Sequence, residues 1–254
     1  MIPVKSAGEI DSMRRSCRVA SEILDQLCSM VAPGVTTGEI DSRAAELIRK
    51  NGARSAFLNY RGFPGHICIS VNEEVVHGIG GKRKLAYGDV VKLDVGVVVD
   101  GWVGDNAATV PVGAVSPEVD RLIRATEEAL AEGISKVRAG VRLGDVCSAI
   151  EKSVIRRGYS VVREFVGHGV GRKLHEEPQI PNYGKAGTGP RLKAGMTLAI
   201  EPMVNMGRGD VRLLEDGWTV VTSDGKPSAH VEHTVLVTEE EAEILTCKRV
   251  PVSS

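Results

Sequence analysis

The sequence predicts an α+β fold, with an antiparallel sheet covered by helices and two related halves arranged about a pseudo-twofold axis. Three observations lead there: an internal repeat, the same helix–helix–strand order in each half, and a carboxylate set in apolar strand-like text in each half.

The repeat comes first, because a duplication decides how the elements are arranged. VAPGVTTGEIDSRAAELIRKNG begins at Val31, and VRAGVRLGDVCSAIEKSVIRRG begins at Val137. Gly34, Val35, Gly38, Ser42 and Gly52 match Gly140, Val141, Gly144, Ser148 and Gly158 at a constant separation of 106 residues. Arg15, Arg18, Glu22 and Leu24 match Arg121, Arg124, Glu128 and Leu130 at the same separation. The expectation is one domain over 1–254, with pseudo-repeats of approximately 6–112 and 113–240.

Each half opens with helical text. Ser6 and Glu9 form a capping-box pattern. Ser116 followed by Pro117 is an N-cap with proline at the first helical position. A shorter helix follows each long one, near Gly38 and Gly144. Strand-like text comes next: HICISV, VVKLDVGVVV and WVGDNAATV, then TLAIEPMV, WTVV and VEHTVLV. The charged run Glu239, Glu240 and Glu241 reads as a solvated helix start.

The repeat also aligns polar residues. VHGIG around His77 reappears as GHGVG around His168, which suggests a glycine-flanked histidine turn in each half. KLAYGDVVKLDVGV aligns with RLKAGMTLAIEPMV, which sets Asp94 against Glu201. Asp100-Gly101 is a two-residue hairpin signal. With those two residues as the loop, Val99 pairs with Trp102 and Gly96 with Asp105. Alternation then puts Asp94 and Asp105 on one face as diagonal neighbours, roughly 7–8 Å apart at the backbone. Gly96 would leave room for a shared ion. Burying ionised carboxylates costs several kcal/mol each unless they are paired or bind metal. Symmetry-related carboxylates beside histidines favour metal over a hidden basic partner.

Composition excludes several classes. The formal net charge is −1 over 254 residues, which gives no reason to expect nucleic acid or an anionic membrane as partner. No apolar run approaches the roughly 20 residues of a membrane span. The segment MIPVKSAGEIDSMRRSCR lacks the apolar core of a secretory signal. The five cysteines are scattered and never spaced as CxxC, which fits a reducing, cytoplasmic setting. GIGGKRK lacks the upstream glycine of a phosphate loop, and HEEP at His175 breaks the zinc-protease HExxH pattern with Pro178.

In order, VVHGI, KLDVG with GDNAATV, GHGVGRKLHEEPQI, LAIEPMV and VEHTVLV resemble the type I methionine aminopeptidases, metallopeptidases of the duplicated pita-bread fold. The resemblance covers nearly the whole chain and is closest to the short bacterial form, without a zinc-finger extension. It implies removal of the N-terminal methionine of nascent polypeptides, with a small second residue preferred. It implies two divalent ions (Co, Mn, Fe or Zn) held by Asp94, Asp105, His168, Glu201 and Glu232, with Asp105 and Glu232 bridging. Hard oxygen ligands with one imidazole suit those ions. By the same resemblance, Glu201 takes the proton of the attacking water, His175 stabilises the tetrahedral intermediate, and His77 contacts the scissile amide. Tyr60, Phe63, Cys68, His77 and Trp218 fall on positions lining the methionine pocket. Leu174 stands where many relatives have phenylalanine, which alters pocket shape but not its apolar character. A monomer is expected, with the ribosome as a further partner. The rivals are a proline-selective aminopeptidase of the same fold, whose chains usually carry an extra N-terminal domain, and a non-catalytic peptide-binding relative.

Overall fold

Local capping starts the helices where the sequence places them. The Glu9 carboxylate accepts from the Ser6 N–H and hydroxyl, both at 2.9 Å, ahead of α1 (Ala7–Cys28). Thr36 and Glu39 complete a reciprocal box at the start of α2 (Thr37–Lys50). Ser116 accepts from the Val119 N–H at α3 (Pro117–Ile134). Asp145 accepts from the Arg142 N–H at α4 (Leu143–Arg156). The matched pair Gly52 and Gly158 follows α2 and α4 with φ of 65° and 83°. That left-handed conformation is costly for other residues and closes a helix.

The computed structural model describes residues 2–247; Met1 and residues 248–254 of the predicted 1–254 span lie outside them. After α2 come β1 (Arg54–Ser55), β2 (Cys68–Val71), β3 (Glu74–Val76), β4 (Val90–Val99) and β5 (Trp102–Pro111). After α4 come β6 (Ser160–Val161), β7 (Gly167–Gly169), β8 (Glu176–Ile180), β9 (Thr197–Ile200) and β10 (Met203–Asn205). The remaining strands are β11 (Val211–Leu213), β12 (Val220–Thr222), β13 (Ser228–His230), β14 (Glu232–Leu236) and β15 (Glu243–Ile244). Among the described residues the largest sheet runs β1-β4-β5-β14-β9-β7-β8, with β2 also on β4 and β15 also on β14. Its pairings are antiparallel, and β5 meets β14 in the middle. Hairpin β4–β5 thus faces its counterpart pair β9–β14 across the centre.

Side-chain alternation divides the sheet into two faces. Leu93, Val95 and Val97 pack with Ile23, Leu27, Ile40 and Leu47 of α1 and α2. Leu198, Ile200 and Val235 pack with Leu130, Val146 and Ile150 of α3 and α4. Both helix pairs therefore cover one face. Asp94, Ala199 and Glu232 take the opposite face by alternation.

The predicted hairpin register holds: Val99 pairs with Trp102, Gly96 with Asp105, and Asp94 with Ala107. Four readings change. Gly96 does not leave space for an ion, because a Cβ there would lie 2.3 Å from Cε1 of Phe57, whose ring fills the gap. The TLAIEPMV strand is broken: β9 ends at Ile200 and β10 begins at Met203. Pro202 has no N–H for the ladder, so Glu201 sits at the break rather than within a strand. His77 and His168 are not counterparts. His168 lies in β7 beside Ala199, two residues before Glu201, whereas Lys92, two before Asp94, stands beside Ser70. Register makes Ser70 the counterpart of His168, and His77 follows β3 with φ of 61°. Finally, Glu239–Glu241 form an exposed bend leading to β15, not a helix.

Gly96→Ala is expected to destabilise the fold by about 1–3 kcal/mol through overpacking against Phe57. Phe57→Leu should relieve part of that loss. Denaturant unfolding of the two single variants and the double variant measures both effects.

Candidate metal centre

The sheet register assembles the acidic cluster. Ala107 of β5 stands between Asp94 on β4 and Glu232 on β14, so a small residue separates two carboxylates in one row. Asp105 lies two residues earlier on β5, and its carbonyl accepts from the Thr234 hydroxyl at 2.8 Å. The Asn182 amide donates to the Glu201 carbonyl at 3.1 Å and fixes the β9–β10 break. His168 Nε2 comes within 3.4 Å of Glu201 and 3.7 Å of Asp105. Ligand atoms of Asp105, His168 and Glu232 all lie within 4.8 Å of one another.

These groups are poorly satisfied by protein alone. Asp105 and Glu232 are each 3% exposed. Buried oxygens of Asp94, Asp105 and Glu232 have no hydrogen-bond partner among the described residues. Burial, reinforced by the neighbouring carboxylates, pushes Glu201 and Glu232 well above the usual carboxylate range. Burial and Asp105 do the same to Asp94. Asp105 is pushed up to about 7 by burial, opposed by the Asn106 N–H. Burial holds His168 down to about 3, so its imidazole is neutral at pH 7. Its Nδ1 is 2.9 Å from the Gly169 carbonyl. Donation there leaves the Nε2 lone pair facing the carboxylates, the arrangement of a metal-ligating histidine. Orphaned acceptor oxygens around a neutral imidazole nitrogen fit divalent cations.

All the predicted site residues line one cavity of about 730 Å³: Tyr60, Phe63, Cys68, His77, Asp94, Asp105, His168, Leu174, His175, Glu201, Trp218 and Glu232. Phe63 and Trp218 meet edge to face at 5.2 Å. His175 Nδ1 lies 2.7 Å from the Tyr60 hydroxyl, and its ring is 4.3 Å from that of His168. Burial lowers the His175 pKa, with Arg61 adding to the effect, and burial brings His77 down to about 4. Two of the five described non-glycine residues with left-handed backbone, Arg61 and His77 (φ 52° and 61°), line this cavity, and Asn59 (φ 63°) precedes Tyr60. Such strain is concentrated at functional sites, where the surroundings hold it.

One close neighbour escaped the sequence reading. His230 is 1% exposed, and its Nε2 lies 3.5 Å from Glu201. Burial pushes it down to about 3. It stands two residues before Glu232, and that spacing was the only signal available. Phe165, edge-on to His77 at 5.3 Å, was also missed.

Residues 11–239 match the sequence model of metallopeptidase family M24. The chain belongs to that family. A methionine aminopeptidase from Clostridium perfringens is similar across nearly its whole length, 50% identical over 246 residues that cover 97% of this chain and 99% of that one. The crystal structure of a methionine aminopeptidase from Thermotoga maritima matches with a TM-score of 0.96 at 46% identity, over 98% of this chain and 100% of that one. The prolidase from Pyrococcus horikoshii, 21% identical with a TM-score of 0.78, spans 98% of this chain but only 65% of its own, and shares the fold alone. M24 membership makes divalent-metal chemistry the setting for the acidic cluster described above.

Removing metal should lower the melting temperature, and more at pH 8 than at pH 5.5. Asp105 has a folded, metal-free pKa of about 7, above its unfolded value of roughly 3.9. A raised carboxylate contributes stability that is full below the unfolded pKa and disappears as pH rises through the folded one. The stripped protein therefore loses stability between about pH 4 and 7, where the metal-bound protein does not. Thermal melts with and without exhaustive chelation at the two pH values check this.

Proposed function

We propose that this chain removes the first methionine from newly made polypeptides, using two divalent ions held by Asp94, Asp105, His168, Glu201 and Glu232. The full-length likeness to methionine aminopeptidases carries the reading. The donor set on the wall of a partly apolar cavity supports it. Bound ions supply Lewis-acid chemistry, lowering the pKa of water and polarising a carbonyl. Mn²⁺, Fe²⁺, Co²⁺ and Zn²⁺ all suit four carboxylates and one imidazole.

The protein groups divide the remaining work. Glu201, at the edge of the cluster beside His168 and His230, takes the proton of the attacking water. His175 is held neutral by burial. With the Tyr60 hydroxyl donating to Nδ1, its Nε2 carries the proton and can donate to the oxyanion of the tetrahedral intermediate. His77, also neutral, contacts the scissile amide. Phe63, Cys68, Trp218, Tyr60, His77 and Leu174 enclose the methionine side chain. Burial raises the Cys68 thiol well above its usual range, so it stays an uncharged sulfur contact suited to a thioether.

The preferred substrates are nascent chains with a small second residue, met in the cytoplasm by a monomer working beside the ribosome. Among the described residues no helix is long and apolar enough to cross a membrane. The proline-selective rival shares only the fold.

Glu201→Gln and His175→Ala should each lower methionine release from a Met-Gly peptide by about 10²-fold or more, a far larger effect than on folding stability. Metal-stripped wild type should regain activity on addition of Mn²⁺, Fe²⁺ or Co²⁺, and should leave Met-Leu and Ala-Pro peptides largely uncut. Near-normal turnover in both variants would contradict the assignment of roles, and cleavage of Ala-Pro instead would favour the proline-selective activity.

A further inference from the structure

Outside the metal cluster, one buried ion pair links three parts of the cavity wall. Lys5 precedes α1, and its side chain is 5% exposed. Its ammonium lies 2.7 Å from Glu176, whose side chain is 10% exposed and which is 171 residues away in sequence. A lysine buried this deeply costs several kcal/mol unless it is well paired. The second Glu176 oxygen accepts from the Lys173 N–H at 3.2 Å, so the carboxylate closes the turn that carries Leu174 and His175. Gly171 begins that turn. A Cβ there would meet both Glu176 oxygens, at 2.6 and 2.8 Å, and Lys5 Cε at 2.8 Å. The backbone wraps around the pair as closely as glycine allows. The Gly171 carbonyl in turn accepts from the Val103 N–H of β5 at 2.8 Å.

The other side of Lys5 is fixed as well. Its N–H donates to the Gly195 carbonyl at 2.8 Å, in the turn entering β9. Glu201 lies just past the end of β9. Two residues before Lys5, Pro3 lines the cavity together with Lys173, His175 and Glu176. Lys5 thus joins the element that delivers Glu201 to the turn that delivers His175.

We propose that the Lys5–Glu176 ion pair is the positioning device that sets His175 against the Glu201 side of the cavity, acting through the 171–176 turn. Among the described residues neither side chain bonds to the acidic cluster, so the effect reaches the reaction through His175. The proposal rests on the catalytic reading of His175 given above. A displacement of about 1 Å of a group acting in the transition state can cost up to about 10²-fold in rate.

The test compares Lys5→Met, Lys5→Arg and Glu176→Gln, each alone and combined with His175→Ala, as metal-loaded full-length proteins. Turnover of a Met-Gly peptide is read as kcat and KM separately, and hydrogen exchange is followed in residues 171–176. Lys5→Met should lower kcat about tenfold or more with KM changed less than about threefold, and Lys5→Arg should restore most of the loss. In the His175→Ala background Lys5→Met should add less than about twofold. Exchange should rise in the turn and not in α3 or α4. The same fold-loss with and without His175, or unchanged kcat and unchanged exchange in Lys5→Met, would overturn the proposal. If Lys5→Met does not fold, Glu176→Gln carries the same comparison. If wild type releases no methionine, the functional reading fails by itself, while exchange in the turn still reports whether the ion pair holds it.

Discussion

Four carboxylates share one wall of a cavity, and the two histidines beside Glu201, His168 and His230, are held neutral by burial. Taken without a counter-charge, this is an expensive arrangement: desolvation pushes each carboxylate toward its protonated form, and neighbouring carboxylates add to this at Asp94, Glu201 and Glu232. Divalent cations would supply the missing counter-charge. The protein meets the cost by building the cluster on a sheet whose other face supplies ordinary apolar burial against four helices.

Duplication gives that cluster its geometry. Pairing β5 with β14 at the centre brings a carboxylate row from both halves together, with Ala107 between Asp94 and Glu232. The symmetry stops at the chemistry. Ser70 occupies the register position of His168, and Lys92 that of Ala199. One half therefore places an imidazole beside the carboxylates, where the other has a serine whose hydroxyl accepts from the Gly78 N–H instead. The loops that complete the cavity, around Tyr60, His77 and His175, carry the strained backbone and the aromatic contacts.

The strand text and its period of two made the β4–β5 hairpin legible, down to the pairing of Gly96 with Asp105. Helix starts were legible because capping is local chemistry between residues three apart. The resemblance located the residues that now line the cavity. What local text could not give was tertiary. Phe57 filling the Gly96 gap depends on a loop folding back over the sheet. The false match of His77 with His168 arose because short glycine-flanked motifs look alike whichever side of a strand they fall on. His230 was hidden among apolar neighbours, and its role depends on where Glu201 sits at the Pro202 break. The Lys5–Glu176 pair spans 171 residues, beyond the reach of any periodicity.

The most direct test of the central claim is calorimetric titration of metal-stripped protein with Mn²⁺ at pH 7, repeated in buffers of different ionisation enthalpy to count protons. If burial holds protons on the carboxylates until cations displace them, binding releases about one proton or more per protein, and the count falls as pH rises above Asp105's value of about 7. Tight binding with no proton release, or no saturable binding, would contradict the account.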